Sequence, residues 1–108
     1  MFSNFAAAPA SAADPRGPWN LMLRSSIAGT RSISYQNWTL GTRPLCWQAD
    51  TGQWRNTGQQ VRAWQQITVI AYANRGCPAT GVLRGGQLGM LVPEQTSGLT
   101  NYWLSIDY

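Results

Sequence analysis

The stretch Gln60-Val-Arg-Ala-Trp-Gln-Gln-Ile-Thr-Val-Ile-Ala-Tyr72 decides the fold class. Its odd positions Val61, Ala63, Ile67, Val69 and Ala71 form an apolar row interrupted by Gln65. Its even positions Arg62, Trp64, Gln66 and Thr68 are mixed, and Ile70 and Tyr72 then turn apolar as well. A period of two places alternate side chains on opposite faces of an extended chain. The stretch therefore reads as one β-strand, buried on one face and, towards its end, on both.

The C-terminal residues 102–108 alternate in the same way. Tyr102, Leu104, Ile106 and Tyr108 point one way, and Trp103, Ser105 and Asp107 the other. Asn20–Arg24, Ser32–Leu40, Pro44–Ala49 and Gly81–Val92 are weaker strand candidates, the last carrying Gly81, Gly85, Gly86 and Gly89, a sign of a bulge or tight hairpin. Turn signals fall between them at Ala28-Gly29, Leu40-Gly41, Asp50-Thr51-Gly52, Asn56-Thr57-Gly58, Arg75-Gly76 and Thr96-Ser97-Gly98. Short strands punctuated this often predict an all-β chain, a small β-sandwich or barrel, as a single β domain over 18–108.

Residues 1–17 differ in kind. They are rich in Ala, Pro and Ser, and the prolines at 9, 15 and 18 work against helix and strand alike. An extended N-terminal arm is expected. Holding it in one conformation costs about 1–2 kcal/mol per residue in backbone entropy, which a neighbouring subunit offsets more readily than the small domain itself. Phe2 and Phe5 are its expected anchors.

Composition narrows the function. The chain has 108 residues, enough for one core, and only 11% of them are charged against about a quarter in ordinary domains. Surfaces pressed against other protein lose charge in this way. There is no His and no Lys; the bases are eight arginines and the acids Asp14, Asp50, Glu94 and Asp107. General acid–base and nucleophilic catalysis are thus poorly supplied, and no catalytic residue is expected. A glycosidase-like pair drawn from Asp50, Glu94 and Asp107 is formally available, but these acids sit beside turn or terminal signals, where carboxylates are usually solvated. Arg84-Gly85-Gly86-Gln87 lacks the features of a phosphate-binding loop. Cys46 and Cys77 fit a disulfide and a pair of buried thiols equally well, and with no His they make no zinc site; no cofactor or metal is expected.

The net charge of +4 permits an acidic partner, yet Arg16, Arg24, Arg31, Arg43, Arg55, Arg62, Arg75 and Arg84 are scattered rather than clustered, which argues against nucleic acid. No segment approaches 18 apolar residues, so no membrane span is expected. The N-terminus lacks the charged start and apolar run of a signal peptide, and synthesis in a host cytoplasm is expected. The sequon at Asn37-Trp38-Thr39 then reads as coincidence.

Six tryptophans, at 19, 38, 47, 54, 64 and 103, are more than a small core needs to expose, so most read as core. Trp54 is the exception. It stands in the polar stretch Asp50–Gly58 between two turn signals and is expected at a loop tip with Arg55, a Trp–Arg pair suited to an interface hot spot, a sugar ring or a nucleobase. The loop Glu94–Asn101 is a second polar candidate surface. The reading that joins these features is a structural subunit of a larger particle. A tailed-phage virion component (capsid decoration, connector or tail protein) fits best, forming homo-oligomers and contacts with other particle subunits through Phe2, Phe5, Trp54 and Arg55. The alternatives are a carbohydrate-binding β module, with a glycan as partner, and a small nucleic-acid-binding barrel.

Overall fold

A computed structural model describes residues 15–96 and 98–107. Among the described residues there are seven strands, β1 (Trp19–Ser25), β2 (Ser32–Asn37), β3 (Leu45–Gln48), β4 (Arg55–Val61), β5 (Gln66–Tyr72), β6 (Val82–Leu91) and β7 (Asn101–Ile106), with a short 3-10 turn at Ala79–Gly81. They form two sheets, β4-β1-β7 and β3-β2-β5-β6, packed as a sandwich. All neighbouring pairs are antiparallel except β1 and β7, which run parallel in register from Asn20↔Asn101 to Ser25↔Ile106. Among the described residues no helix is long and apolar enough to cross a membrane.

The core follows from the two-residue alternation. Leu21, Leu23, Val61, Tyr102, Leu104 and Ile106 come from the three-stranded sheet; Ile33, Tyr35, Ile67, Val69 and Ala71 face them from the four-stranded one. Trp19 closes one end, 1% exposed, with its ring 6.1 Å from that of Tyr102. Gly17, at φ +94°, lies over it so closely that a Cβ there would meet Trp19 Cδ2 and the Val61 carbonyl oxygen, both at 3.1 Å. Burial of these rings pushes the hydroxyl pKa values of Tyr35 and Tyr102 upward.

The stretch 60–72 is not one strand. β4 ends at Val61, a turn spans Arg62–Gln65, and β5 starts at Gln66 in the other sheet. Val61, Ala63 and Ile67 are buried throughout, because both strands present the same parity of residues to the one core. The turn is held by polar contacts: Gln65 Oε1 accepts from the Arg62 amide (2.9 Å) and from Asn37 Nδ2 (3.0 Å). Asn37 is wholly buried, donates also to the Tyr35 hydroxyl and accepts from the Leu40 amide. Both hydrogens of its side-chain nitrogen are engaged, so the sequon is closed in the folded chain.

Asn56-Thr57-Gly58 is likewise no turn between strands but an irregularity inside β4. A step of two positions on β1, from Asn20 to Met22, is matched by a step of four on β4, from Gln60 to Asn56. Gly58 supplies the positive φ of +68°, and Thr57 turns inward to donate to the Leu21 carbonyl at 2.7 Å.

Residues 15–17 belong to the body rather than to an arm: the Ala63 amide donates to the Arg16 carbonyl, and the Gln95 amide to that of Pro15. Cys46 and Cys77 are joined in a disulfide. It fastens the loop Ala73–Pro78 over the outer face of the four-stranded sheet, helped by Gly76 N donating to Gln48 Oε1 and by Ser32 Oγ, which donates to the Asn74 carbonyl and accepts from the Cys77 amide. Beneath the loop, Ser32, Ser34 and Tyr72 are buried although they point away from the core, which explains the double-sided burial at the end of β5.

The disulfide spans 31 positions of sequence, and a loop of that length implies about 3–4 kcal/mol of stabilisation. Replacing both cysteines by alanine should lower the urea-unfolding free energy by that amount, and a loss below about 1 kcal/mol would show that the loop is held by its hydrogen bonds alone. A second substitution tests the packing of β6 against β5. A Cβ on Gly86 would lie 2.9 Å from the carbonyl oxygens of Ala71 and Leu83, so Gly86→Ala should cost about 1–3 kcal/mol in the same assay.

Candidate functional site

Two exposed surfaces carry the unusual side chains, one on each sheet. On the three-stranded sheet, the residues of β1 that do not enter the core are Asn20, Met22 and Arg24. The pairing with β4 and β7 sets them in rows: Gln60, Asn20 and Asn101, then Asn56, Met22 and Trp103. Arg24 is level with Ser105 of β7, and its guanidinium carbon lies 4.6 Å from the ring centroid of Trp54, the residue before β4. Trp54 meets Trp103 edge to face, with centroids 5.0 Å apart and planes at 84°. Arg24 Nε donates to Ser105 Oγ at 3.1 Å, and Ser105 donates to Asp107 Oδ1 at 2.8 Å, where Ser26 Oγ also donates at 2.6 Å.

This corrects the expected placement of the Trp54–Arg55 pair. Trp54 is half-buried at the start of a strand, wedged between Arg24 and Trp103, not at a loop tip. Arg55 pairs with Leu23, a core-facing position, so consecutive residues of the extended chain point to opposite sides. Its Nε is buried with no hydrogen-bond partner among the described residues. The two residues therefore do not form one surface. Phe2 and Phe5 lie outside the described residues. The expectation that most tryptophans lie in the core fails: only Trp19 is fully buried, while Trp38, Trp64 and Trp103 are more than half exposed. The alternation of residues 102–108 already turned Trp103 away from the core, but neither it nor Arg24 and Met22 is marked as a site by the sequence.

The second surface is the end of the four-stranded sheet that the disulfide loop leaves open. Three backbone contacts lie close together in the chain there: the Trp38 amide donates to the Gln66 carbonyl, Leu91 pairs with Gln66 across the sheet, and the Trp64 amide donates to the carbonyl of Val92, the residue after Leu91. Trp38 is 57% exposed, Trp64 58% and Leu91 54%. The Trp38 indole lies along the sheet, with Nε1 donating to Thr68 Oγ1 at 2.8 Å, and Trp64 is held at the positive φ of 72°. Leu40 of the adjoining turn is exposed too.

The carboxylates raised by the sequence have separate settings. Asp50 pairs with Arg31 (3.4 Å) and Arg75 (3.9 Å), Glu94 with Arg16 (4.0 Å), and Asp107 with the hydroxyls of Ser26 and Ser105. These ion pairs are exposed and contribute little to stability. The loop after Leu91 is exposed at Glu94, Thr96, Leu99 and Thr100, and Gln95 ties it to Asn101. Among the described residues no three His, Cys, Asp or Glu side chains gather as metal ligands would. Comparison with protein-family models, curated proteins and solved structures returned no match for this chain.

The hydrogen bonds from Ser26 and Ser105, with Arg24 nearby, hold the Asp107 carboxyl below its ordinary pKa. A depressed carboxyl contributes stability that is present above its unfolded pKa and lost as pH falls through the folded one. In a carbon-detected NMR titration Asp107 should therefore titrate below the ordinary aspartate value, and Ser26→Ala should raise its midpoint. A midpoint at or above the ordinary value would contradict the hydrogen-bonded arrangement.

Proposed function

We propose that this chain is a structural subunit of a larger particle, working by protein–protein contact and without catalysis. The observation that supports it most is the cluster of Trp38, Trp64 and Leu91, each more than half exposed around one backbone junction. Indoles left in water at the open end of a sheet are the side chains that give up most free energy when another protein covers them. The small share of charged residues, 11% of the chain, fits a surface that spends its life against other protein.

Within this reading the particle is a tailed-phage virion, and the chain is a decoration, connector or tail protein. A reducing cytoplasm keeps thiols reduced, so the Cys46–Cys77 disulfide fits that setting in the oxidising surroundings a released particle meets. The segment before Pro15, with Phe2 and Phe5, is the second contact element of the proposal. It joins the body where Arg16 and Pro15 bond to Ala63 and Gln95, beside the Trp64 turn.

Sedimentation velocity over a range of concentrations tests the reading. A Cβ on Gly89 would meet only Thr68 Oγ1, at 3.8 Å, so Gly89→Glu adds a charge to the open sheet face with little strain. The native chain should associate as concentration rises; Gly89→Glu should stay monomeric with its melting temperature unchanged within about 2 °C. Deleting residues 1–14 should leave a folded body that associates less. A native chain that remains monomeric at every concentration, alone and with candidate partner subunits, would refute the proposal.

A further inference from the structure

We propose that the outer face of the three-stranded sheet binds a neutral oligosaccharide, with Trp103 and Trp54 as its aromatic corner and Asn20, Asn56, Gln60 and Asn101 as its polar rim. This goes beyond the assembly reading and uses the opposite sheet, so either can fail without the other.

The chemistry of the face is specific. A sugar ring offers a patch of C–H groups on its flat side and hydroxyls around its edge, each both donor and acceptor. An indole suits the first and a carboxamide the second, because a carboxamide carries acceptor and donor side by side. The pairing of β4, β1 and β7 supplies both. Trp103 is 54% exposed, and its right-angled contact with Trp54 fixes the orientation of the two rings. Asn56 uses its Oδ1 to accept from the Gly58 amide, which leaves its side-chain nitrogen for a ligand. Asn20 donates to Asn101 Oδ1 at 3.3 Å, which leaves Asn20 Oδ1 and the Asn101 nitrogen. Asn56 shares the row of Met22 and Trp103, and Gln60, Asn20 and Asn101 form the row beside it.

Charge and size choose the saccharide over the other occupants. The two charged groups of the face, Arg24 and Asp107, are linked through Ser105 Oγ and offset each other, so no net positive field is left for a phosphate chain or an acidic polysaccharide. Three strands about 4.8 Å apart and rows about 7 Å apart give a platform of about 10 by 14 Å. That is far short of the roughly 800 Å² that each partner contributes to a stable protein interface, and it suits a short oligosaccharide. The binding groups are also rigid: they stand on hydrogen-bonded strands, and the Arg24 guanidinium packs 4.6 Å from the Trp54 ring centroid.

The test is an array of neutral glycans built from glucose, galactose, mannose and N-acetylhexosamines, with heparin and sialylated glycans as the charged arm. The positive is followed by a tryptophan-fluorescence titration. The full chain should bind at least one neutral glycan. Trp103→Ala should weaken that binding at least about tenfold, while Gly89→Glu on the other sheet should leave it unchanged. Trp103→Phe, which keeps an aromatic face, should restore part of the affinity and so separates lost stacking from lost folding. No neutral glycan bound, binding confined to the charged arm, or full affinity in Trp103→Ala would each overturn the proposal.

Discussion

Strand β7 lies against β1 in parallel register over six residue pairs, and the two-residue alternation then leaves no choice about its side chains. Tyr102, Leu104 and Ile106 enter the core between the sheets, so Trp103 stands in solvent. Fully burying apolar side chains of this size contributes about 1.5–3 kcal/mol each, and a one-residue slip that sheltered Trp103 would forfeit all three. The same constraint lifts Arg24 and Met22 onto the outer face beside it. The exposed indole is thus a consequence of the core, and its edge-to-face contact with Trp54 under Arg24 is the local answer to that exposure.

The opposite sheet solves the same problem unevenly. Its outer face also carries side chains that water suits poorly, Tyr72 among them. At one end the loop fastened by the Cys46–Cys77 disulfide covers them, with Ser32 bonding to the loop backbone at Asn74 and at Cys77. At the other end nothing within the described residues does the same for Trp38, Trp64 and Leu91. The contrast gives the contact reading its physical content: one half of the face is covered by the chain itself, and the other half presents the same kind of surface to a partner.

The fold class was legible because alternation in residues 60–72 and 102–108 survives reading one residue at a time. What hid was the junction at Arg62–Gln65. Strand parity continues through it, since Val61, Ala63 and Ile67 all face the core, and the turn contains neither glycine nor proline to announce it. Its positive φ falls on Trp64, a residue that rarely signals one, and its stabilising partner Asn37 is 28 positions away from Gln65. Gly58 misled in the opposite direction, because a glycine with positive φ serves a bulge within a strand as well as a turn between strands. The candidate surface was legible only in part. Trp54 was singled out for its polar neighbours, whereas its real neighbours, Arg24 and Trp103, are supplied by strand pairing across large separations in sequence. The choice between disulfide and free thiols needed the register that turns Cys46 outward, opposite Ser34 on β2, beneath the loop bearing Cys77.

Hydroxyl-radical footprinting of the tryptophans, read by mass spectrometry in dilute and in concentrated protein, distinguishes a face that a partner covers from one that stays in water. Trp19 should be protected in both, since the fold alone buries it. Trp38 and Trp64 should react readily when dilute and become protected as the chain associates, while Trp103 stays reactive. Equal reactivity of Trp38 and Trp64 under both conditions would contradict the account of this face as a protein contact.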